Sequence, residues 1–404
     1  MLAQKQADIW YFGGNAGLNF GGGTPPVPLL NGQINTFEGC ATICDVAGNL
    51  LFYTDGLKVW NKNHVVMPNG NGLLGDQSST QSAIITPYVG DKNKYYIFTT
   101  DGITSTPLPP LGRPAGPKGP WDGLNYSVVD MTLNGGLGDI VGGFKNRALV
   151  DTTREQVTAA KHANGIDYWI ITRKQFTNKY YAFLVTCNGI DTANPVITVI
   201  GSTSPGNLVA FTGYLKASHN SDAILSAFMY GKNELYDFDN ATGQLSNARI
   251  LSGNMQAHYG ASFSPNDSVL YIAGGTLVGG STQVGKIFRY QRFAPSIPPT
   301  EIITDFPGSY LYGMQLAPDG KIYFSHVYRN NDSLGVIHNP NNYTNPNMQF
   351  NYTSLAGRTG LAGLPNYFDA KIFAPKTIIA GRDTSICFST SAQIGSTPVA
   401  GLNY

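Results

Sequence analysis

One phrase recurs along this chain: a strand, a polar turn rich in Asp, Asn and Gly, then a second strand rich in Tyr, Phe and Ile. It runs from Cys40 to Tyr53, from Ser82 to Phe98, from Ala159 to Ile171 and from Leu215 to Leu225. It is clearest from Ala261 to Ile272 and from Met314 to Phe324. Pro presets φ at such a corner, Asp or Asn bonds back to its own backbone, and Gly takes the positive φ that closes a hairpin. Small and large apolar residues alternate on both sides of the strands, as burial of both sheet faces requires. The turns fall near Gly48, Asn93, Gly165, Asp222, Asn266 and Asp319. Their spacing of roughly 45 to 70 residues suits four-stranded propeller blades and exceeds the ~20–35 residues of solenoid repeats.

Two more strand-like stretches follow each hairpin, so six four-strand units can be drawn between about residue 36 and residue 356. Two leftovers remain. Asp8 to Leu30 supplies about three strands without an innermost one, and Gly363 to Phe368 supplies an innermost strand without the rest. Joined, they make a seventh blade closed by both ends of the domain, which hides the edges of the ring. The sequence therefore predicts an all-β fold, a seven-bladed β-propeller over residues 1–375. Its seventh blade is shared between about 6–30 and 363–372. Residues 376–404 read as the first strands of a further module, too few for a core of their own. Residues 103–126 carry six prolines and interrupt the second unit. A loop of that composition cannot enter a sheet interior and belongs on a propeller face.

Composition agrees with an all-β chain. Charged residues are 13% of the sequence, whereas Gly (48), Tyr (23) and Phe (20) are abundant. Helical surfaces need Glu, Lys and Arg in greater supply. A net charge of +1 gives no long-range field for nucleic acid or an anionic membrane. No run approaches the ~18 apolar residues of a membrane helix. The start Met-Leu-Ala-Gln looks like the clipped end of an export signal. Cys40 and Cys44 would lie about 13 Å apart along one strand, too far for a direct disulfide. They read as small buried hydrophobes.

The segment from Ile9 to Gly13 with Asn15 to Leu18, Glu38 to Ile43, Asn49 to Gly56, Val59 to His64 and Ser79 to Ala83 carry a resemblance. Together they resemble the N-terminal propeller of large Bacteroidota surface proteins that bear a gliding-motility-associated C-terminal domain. The tail from Gly381 to Cys387 is similar to the start of the PKD or Ig-like repeats of that family. The resemblance implies type IX export, an extracellular or cell-surface location, and further modules of the same polypeptide downstream.

Residues just before the innermost strands can line one mouth of a propeller channel. Here they are Glu38, Gln81, Thr158, Tyr214, His258, Tyr259, Tyr312 and Asn366. A carboxylate, amides, an imidazole and tyrosines can bind sugar or peptide by hydrogen bonds and stacking, or can simply solvate a water-filled channel. No HExxH, GxSxG or Walker loop is present, and the six histidines lack metal-ligand spacing. The sequence thus offers no catalytic residue, metal site or cofactor. Asp237, Asp239 and Asn240 are explained by a hairpin turn as well as by calcium. Trp60 and Trp169 fall in strands and read as core. The expectation is an adhesin-like binding or display module for a glycan or protein ligand, without catalysis, nucleic acid or membrane insertion. A structural cap on a string of Ig-like modules and a carbohydrate-active hydrolase or lyase at the channel mouth are the alternatives.

Overall fold

The computed structural model describes residues 5–102, 122–203, 212–229, 231–251, 257–278, 282–294, 300–307, 310–327 and 332–369. The expected tail module (376–404) and most of the Pro-rich insertion, with Trp121, lie outside the described residues. Seven antiparallel sheets follow one another along the chain. The fold is a seven-bladed β-propeller.

Blade 1 comprises Ala41–Cys44, Leu50–Thr54, Lys58–Asn61 and Val66–Asn71, in that order from the axis outward. Blades 4, 5 and 6 repeat the pattern, opening on Leu215–Ala217, Ala257–Phe263 and Tyr310–Leu316. Blades 2 and 3 open on Ala83–Pro87 and Thr153–Lys161, and each has five strands instead of the expected four. In blade 2 the third strand, Leu124–Asp130, pairs with both Asp139–Ile140 and Arg147–Val150. In blade 3 the strand Lys179–Thr186 pairs with Gly189–Ile190 and Val196–Val199. The outermost strand is broken in two, by left-handed Gly143 and Asn146 in blade 2 and by an Asp191 turn in blade 3.

Blade 7 is the three-stranded sheet of Ile9–Phe12, Ala16–Asn19 and Val27–Pro28. The expected innermost strand at 363–368 is an irregular segment held by one parallel bridge, between Cys40 and Pro365. It runs between the innermost strands of blades 6 and 1. Gly313 N donates to Ala362 O at 2.8 Å, and Asn366 N donates to Cys40 O at 2.8 Å. Pro365 has no N–H to continue a ladder, which limits the pairing.

The six hairpin turns form as the turn residues dictate. Asp45 accepts from Ala47 and Asn49, while Gly48 takes φ +92°. Asp319 accepts from Lys321, with Gly320 at +78°. Between blades lie apolar layers, such as Ile43, Phe52, Ile85 and Ile97 between blades 1 and 2. Another joins Ile171, Tyr180, Ile224 and Tyr236 between blades 3 and 4. Each buried Ile or Phe in such a layer contributes about 1.5–3 kcal/mol. Trp60 and Trp169 are buried there, and Cys40 and Cys44 are free and buried.

Candidate functional site

The innermost strands all run away from one end of the axis, here called the mouth. Three of them bulge there. Their register shifts between Thr153 and Val157 in blade 3, His258 and Ala261 in blade 5, and Leu311 and Met314 in blade 6. A bulge frees residues from the ladder and re-aims their side chains, which is why bulges gather beside functional sites. The freed residues include Arg154, Glu155 and Gln156 in blade 3, Tyr259 in blade 5 and Tyr312 in blade 6.

Glycine makes the crowding possible. A Cβ on Gly260 would sit 2.0 Å from Tyr312 O, and one on Gly39 would sit 2.1 Å from Ser82 N. The side chain just before each glycine, Tyr259 and Glu38, stands at the mouth while the strands behind it close up.

Four aromatic rings form an arc across blades 4, 5, 6 and 1. Tyr214 and Tyr259 have centroids 5.7 Å apart, Tyr259 and Tyr312 meet edge-on at 5.0 Å, and Tyr312 meets Phe37 edge-on at 6.5 Å. The arc runs from solvent at Phe37, 39% exposed, to the buried Tyr214. Glu38 follows Phe37 and is 6% exposed, and its Oε2 has no hydrogen-bond partner. Burial holds its carboxyl well above the usual carboxylate range, and the nearby charges of Glu155 and Asp76 push the same way, with the Tyr259 hydroxyl opposing. Glu155 is fixed by Thr80, whose N and Oγ1 donate to Oε2 at 3.0 and 2.8 Å. A carboxyl that keeps its proton is a hydrogen-bond donor as well as an acceptor.

The eight residues expected at the mouth separate into two groups. Glu38, Tyr214, Tyr259 and Tyr312 belong to the arc. His258 lies beside it, with Nδ1 3.1 Å from Phe228 O and its pKa lowered to about 4 by burial. Gln81, Thr158 and Asn366 instead tie blades together across the axis. Gln81 Nε2 donates to Leu215 O at 3.1 Å and to Asn366 Oδ1 at 3.3 Å, and Leu215 N donates to Gln81 Oε1 at 2.8 Å. Asn366 Nδ2 reaches Val157 O at 3.2 Å, and Ala217 N donates to Thr158 Oγ1 at 3.2 Å. Further along lies Lys216, fully buried, with Nζ 2.6 Å from Gln315 Oε1 and 3.6 Å from Asp369 Oδ2. Burial lowers the Lys216 pKa, with Asp369 opposing. Asp237 and Asp239, weighed above as a calcium loop, are turn and ion-pair residues. Asp239 accepts from Ala241 N and Thr242 Oγ1, and Asp237 pairs with Arg249.

Arg154, Glu155 and Gln156 were not among the expected residues. Their signal was present: an Arg-Glu-Gln run at the start of an inner strand, in a chain with 13% charged residues.

No family model and no curated protein matches this chain. Among solved structures, the β-propeller domain of Myceliophteria thermophila Cps50 (Swd1) is similar at 9% identity and TM-score 0.48, over 80% of this chain and 92% of that one. A periplasmic gluconolactonase of Pseudomonas aeruginosa is similar at 10% identity and TM-score 0.40, over 69% and 74%. A Bacteroides uniformis protein proposed as a 6-phosphogluconolactonase gives 10% and 0.40, over 80% and 96%. The fold is shared. These likenesses show the architecture alone, yet they correct one expectation from the sequence. Two of the similar propellers are described as lactonases, and the expectation of a chain without catalysis is withdrawn.

Proposed function

We propose that this propeller is a ligand-binding module whose site is the mouth, and that its ligand is hydroxyl-rich, of the carbohydrate class. The observation that carries the reading is an aromatic arc ending on a carboxyl with an unpartnered oxygen. Phe37, the exposed ring of the arc, supplies stacking area, and Glu38 supplies a directed hydrogen bond to a hydroxyl or ring oxygen. On the resemblance of its N-terminal motifs, we further propose that the module is displayed outside the cell, as part of a larger surface protein.

A glycan array followed by calorimetry on wild type, Phe37→Ala and Glu38→Gln tests the reading. Binding of at least one oligosaccharide class, weakened in both variants, is the expected result. An array without a hit, or binding indifferent to both substitutions, overturns it.

A second reading follows from the proton on Glu38. A buried carboxylic acid beside a second carboxylate is placed for general acid chemistry on a glycosidic or lactone oxygen. Turnover of oligosaccharides or aldonolactones that is lost in Glu38→Gln supports this reading; turnover absent from the wild type sinks it.

A further inference from the structure

Side chains from two blades that are not neighbours meet on the axis. Lys216 of the blade 4 inner strand, Leu215–Ala217, has its Nζ 2.6 Å from Oε1 of Gln315 on the blade 6 inner strand, Tyr310–Leu316. Asp369, at the end of the closing segment, touches both. Its Oδ1 accepts from Gln315 Nε2 at 2.9 Å, and its Oδ2 lies 3.6 Å from Lys216 Nζ. Gln315 Nε2 also donates to Leu316 O at 3.2 Å, which fixes the amide with its oxygen toward Lys216. Little water reaches the three: Lys216 is 2% exposed, Gln315 1% and Asp369 8%. The Tyr214 ring lies alongside, its centroid 5.6 Å from Nζ.

This geometry suits a reaction between the two side chains. A nitrogen 2.6 Å from a carbonyl oxygen, at an acceptor angle near 120°, sits about 3.4 Å from the carbonyl carbon, inside the ~3–3.5 Å of a near-attack contact. An amine attacks only without its extra proton, and burial lowers the Lys216 pKa, with Asp369 opposing. The Asp369 carboxylate spans the two nitrogens between which a proton must pass in an amide exchange, one oxygen to each. Gln315 is the better electrophile of the pair, because an ionised carboxylate repels an attacking electron pair.

We propose that Lys216 and Gln315 join in an intramolecular isopeptide bond, with Asp369 carrying the proton. The Lys216 ammonium passes a proton to Asp369, and the free amine attacks Cδ of Gln315, forming the Nζ–Cδ bond. Asp369 delivers its proton to Nε2, the Cδ–Nε2 bond breaks, and ammonia leaves. The proton that Nζ sheds as it becomes an amide nitrogen goes out with the ammonia as an ammonium ion. Asp369 ends as the carboxylate it began as, and nothing is oxidised or reduced. The bond ties blade 4 to blade 6 across the axis and closes a loop between positions 99 residues apart, which restricts the unfolded chain. It is independent of what the mouth binds.

Denaturing mass spectrometry of the full chain, after prolonged incubation at neutral pH, tests this. The wild type should weigh one ammonia less than its sequence. Trypsin should release the Lys216 and Gln315 peptides joined, with no cleavage after Lys216. Lys216→Arg and Asp369→Asn should each keep the full sequence mass. A wild type of full mass that trypsin cuts after Lys216 overturns the proposal. Loss of one water, with Lys216 joined to the Asp369 peptide, overturns the choice of Gln315. A cross-link that persists in Asp369→Asn overturns the proton route. Should either variant fail to fold, the wild-type mass and peptide map still decide, because they need no variant.

Discussion

The mouth and the deeper axis use buried polar groups in opposite ways. Along the axis, Lys216, Gln315 and Asp369 satisfy one another: the ammonium meets an amide oxygen and a carboxylate, and Gln315 Nε2 donates to Asp369 Oδ1 at 2.9 Å. Charge there is matched, and the residues come from blades 4 and 6 and the closing segment. At the mouth, burial and the neighbouring acids raise the Glu38 pKa well above the usual carboxylate range, and its Oε2 makes no hydrogen bond. The side chains come from bulges rather than from regular ladder positions. Matched charge closes a ring; unmatched polarity is what a ligand can complete. The contrast separates scaffold from site within one set of inner strands.

That contrast can be broken in order of expected effect. Asp369→Ala leaves a buried ammonium beside Gln315 without its carboxylate, and should cost about 3–5 kcal/mol. A lowered urea midpoint at unchanged slope would show it; an unmoved midpoint would remove the clasp from the account. Gln81→Ala strips partners from the Leu215 amide and carbonyl and should cost about 1–3 kcal/mol, measured the same way.

Glu38→Gln belongs to the other side of the comparison. Its folded pKa is raised, so its contribution is fully present below the unfolded value near 4.5 and is lost as pH rises through the folded value. The wild-type melting temperature should therefore fall as pH climbs from near 4.5 toward the raised folded value, and the glutamine variant should lack this part of the slope. Parallel melting curves would show that Glu38 is ionised like any surface carboxylate. Phe37→Ala, at the solvent edge of the arc, should change stability by no more than about 0.5 kcal/mol. Its expected effect is on ligand capture, and a large stability loss would recast Phe37 as core.

The blades were legible because their turns are chemical. Asp319-Gly320 and Asp45 with Gly48 specify hairpins through bonds made within a few residues. The site was less so. Glu38, Gln81, Thr158 and Asn366 all precede or open inner strands, and strand position does not tell which way a side chain is turned. Gln81 and Asn366 turn toward each other, whereas Glu38 stands with the tyrosines. The bulges that decide this depend on the register of two strands at once, as Thr153 pairing with Lys174 but Val157 with Thr172 illustrates. Irregular closure at Pro365 and the split outer strands of blades 2 and 3 depend on pairings of the same kind.

The central claim is that Glu38 at the mouth carries a proton at neutral pH while Lys216, Gln315 and Asp369 clasp the deeper axis. Infrared difference spectroscopy at pH 7, between wild type and Glu38→Gln, reads the first half directly. The account predicts that the substitution removes the carbonyl stretch of a protonated carboxylic acid, with the ionised carboxylate bands unchanged. Loss of a carboxylate band instead would place an ordinary ionised glutamate at the mouth and contradict the account.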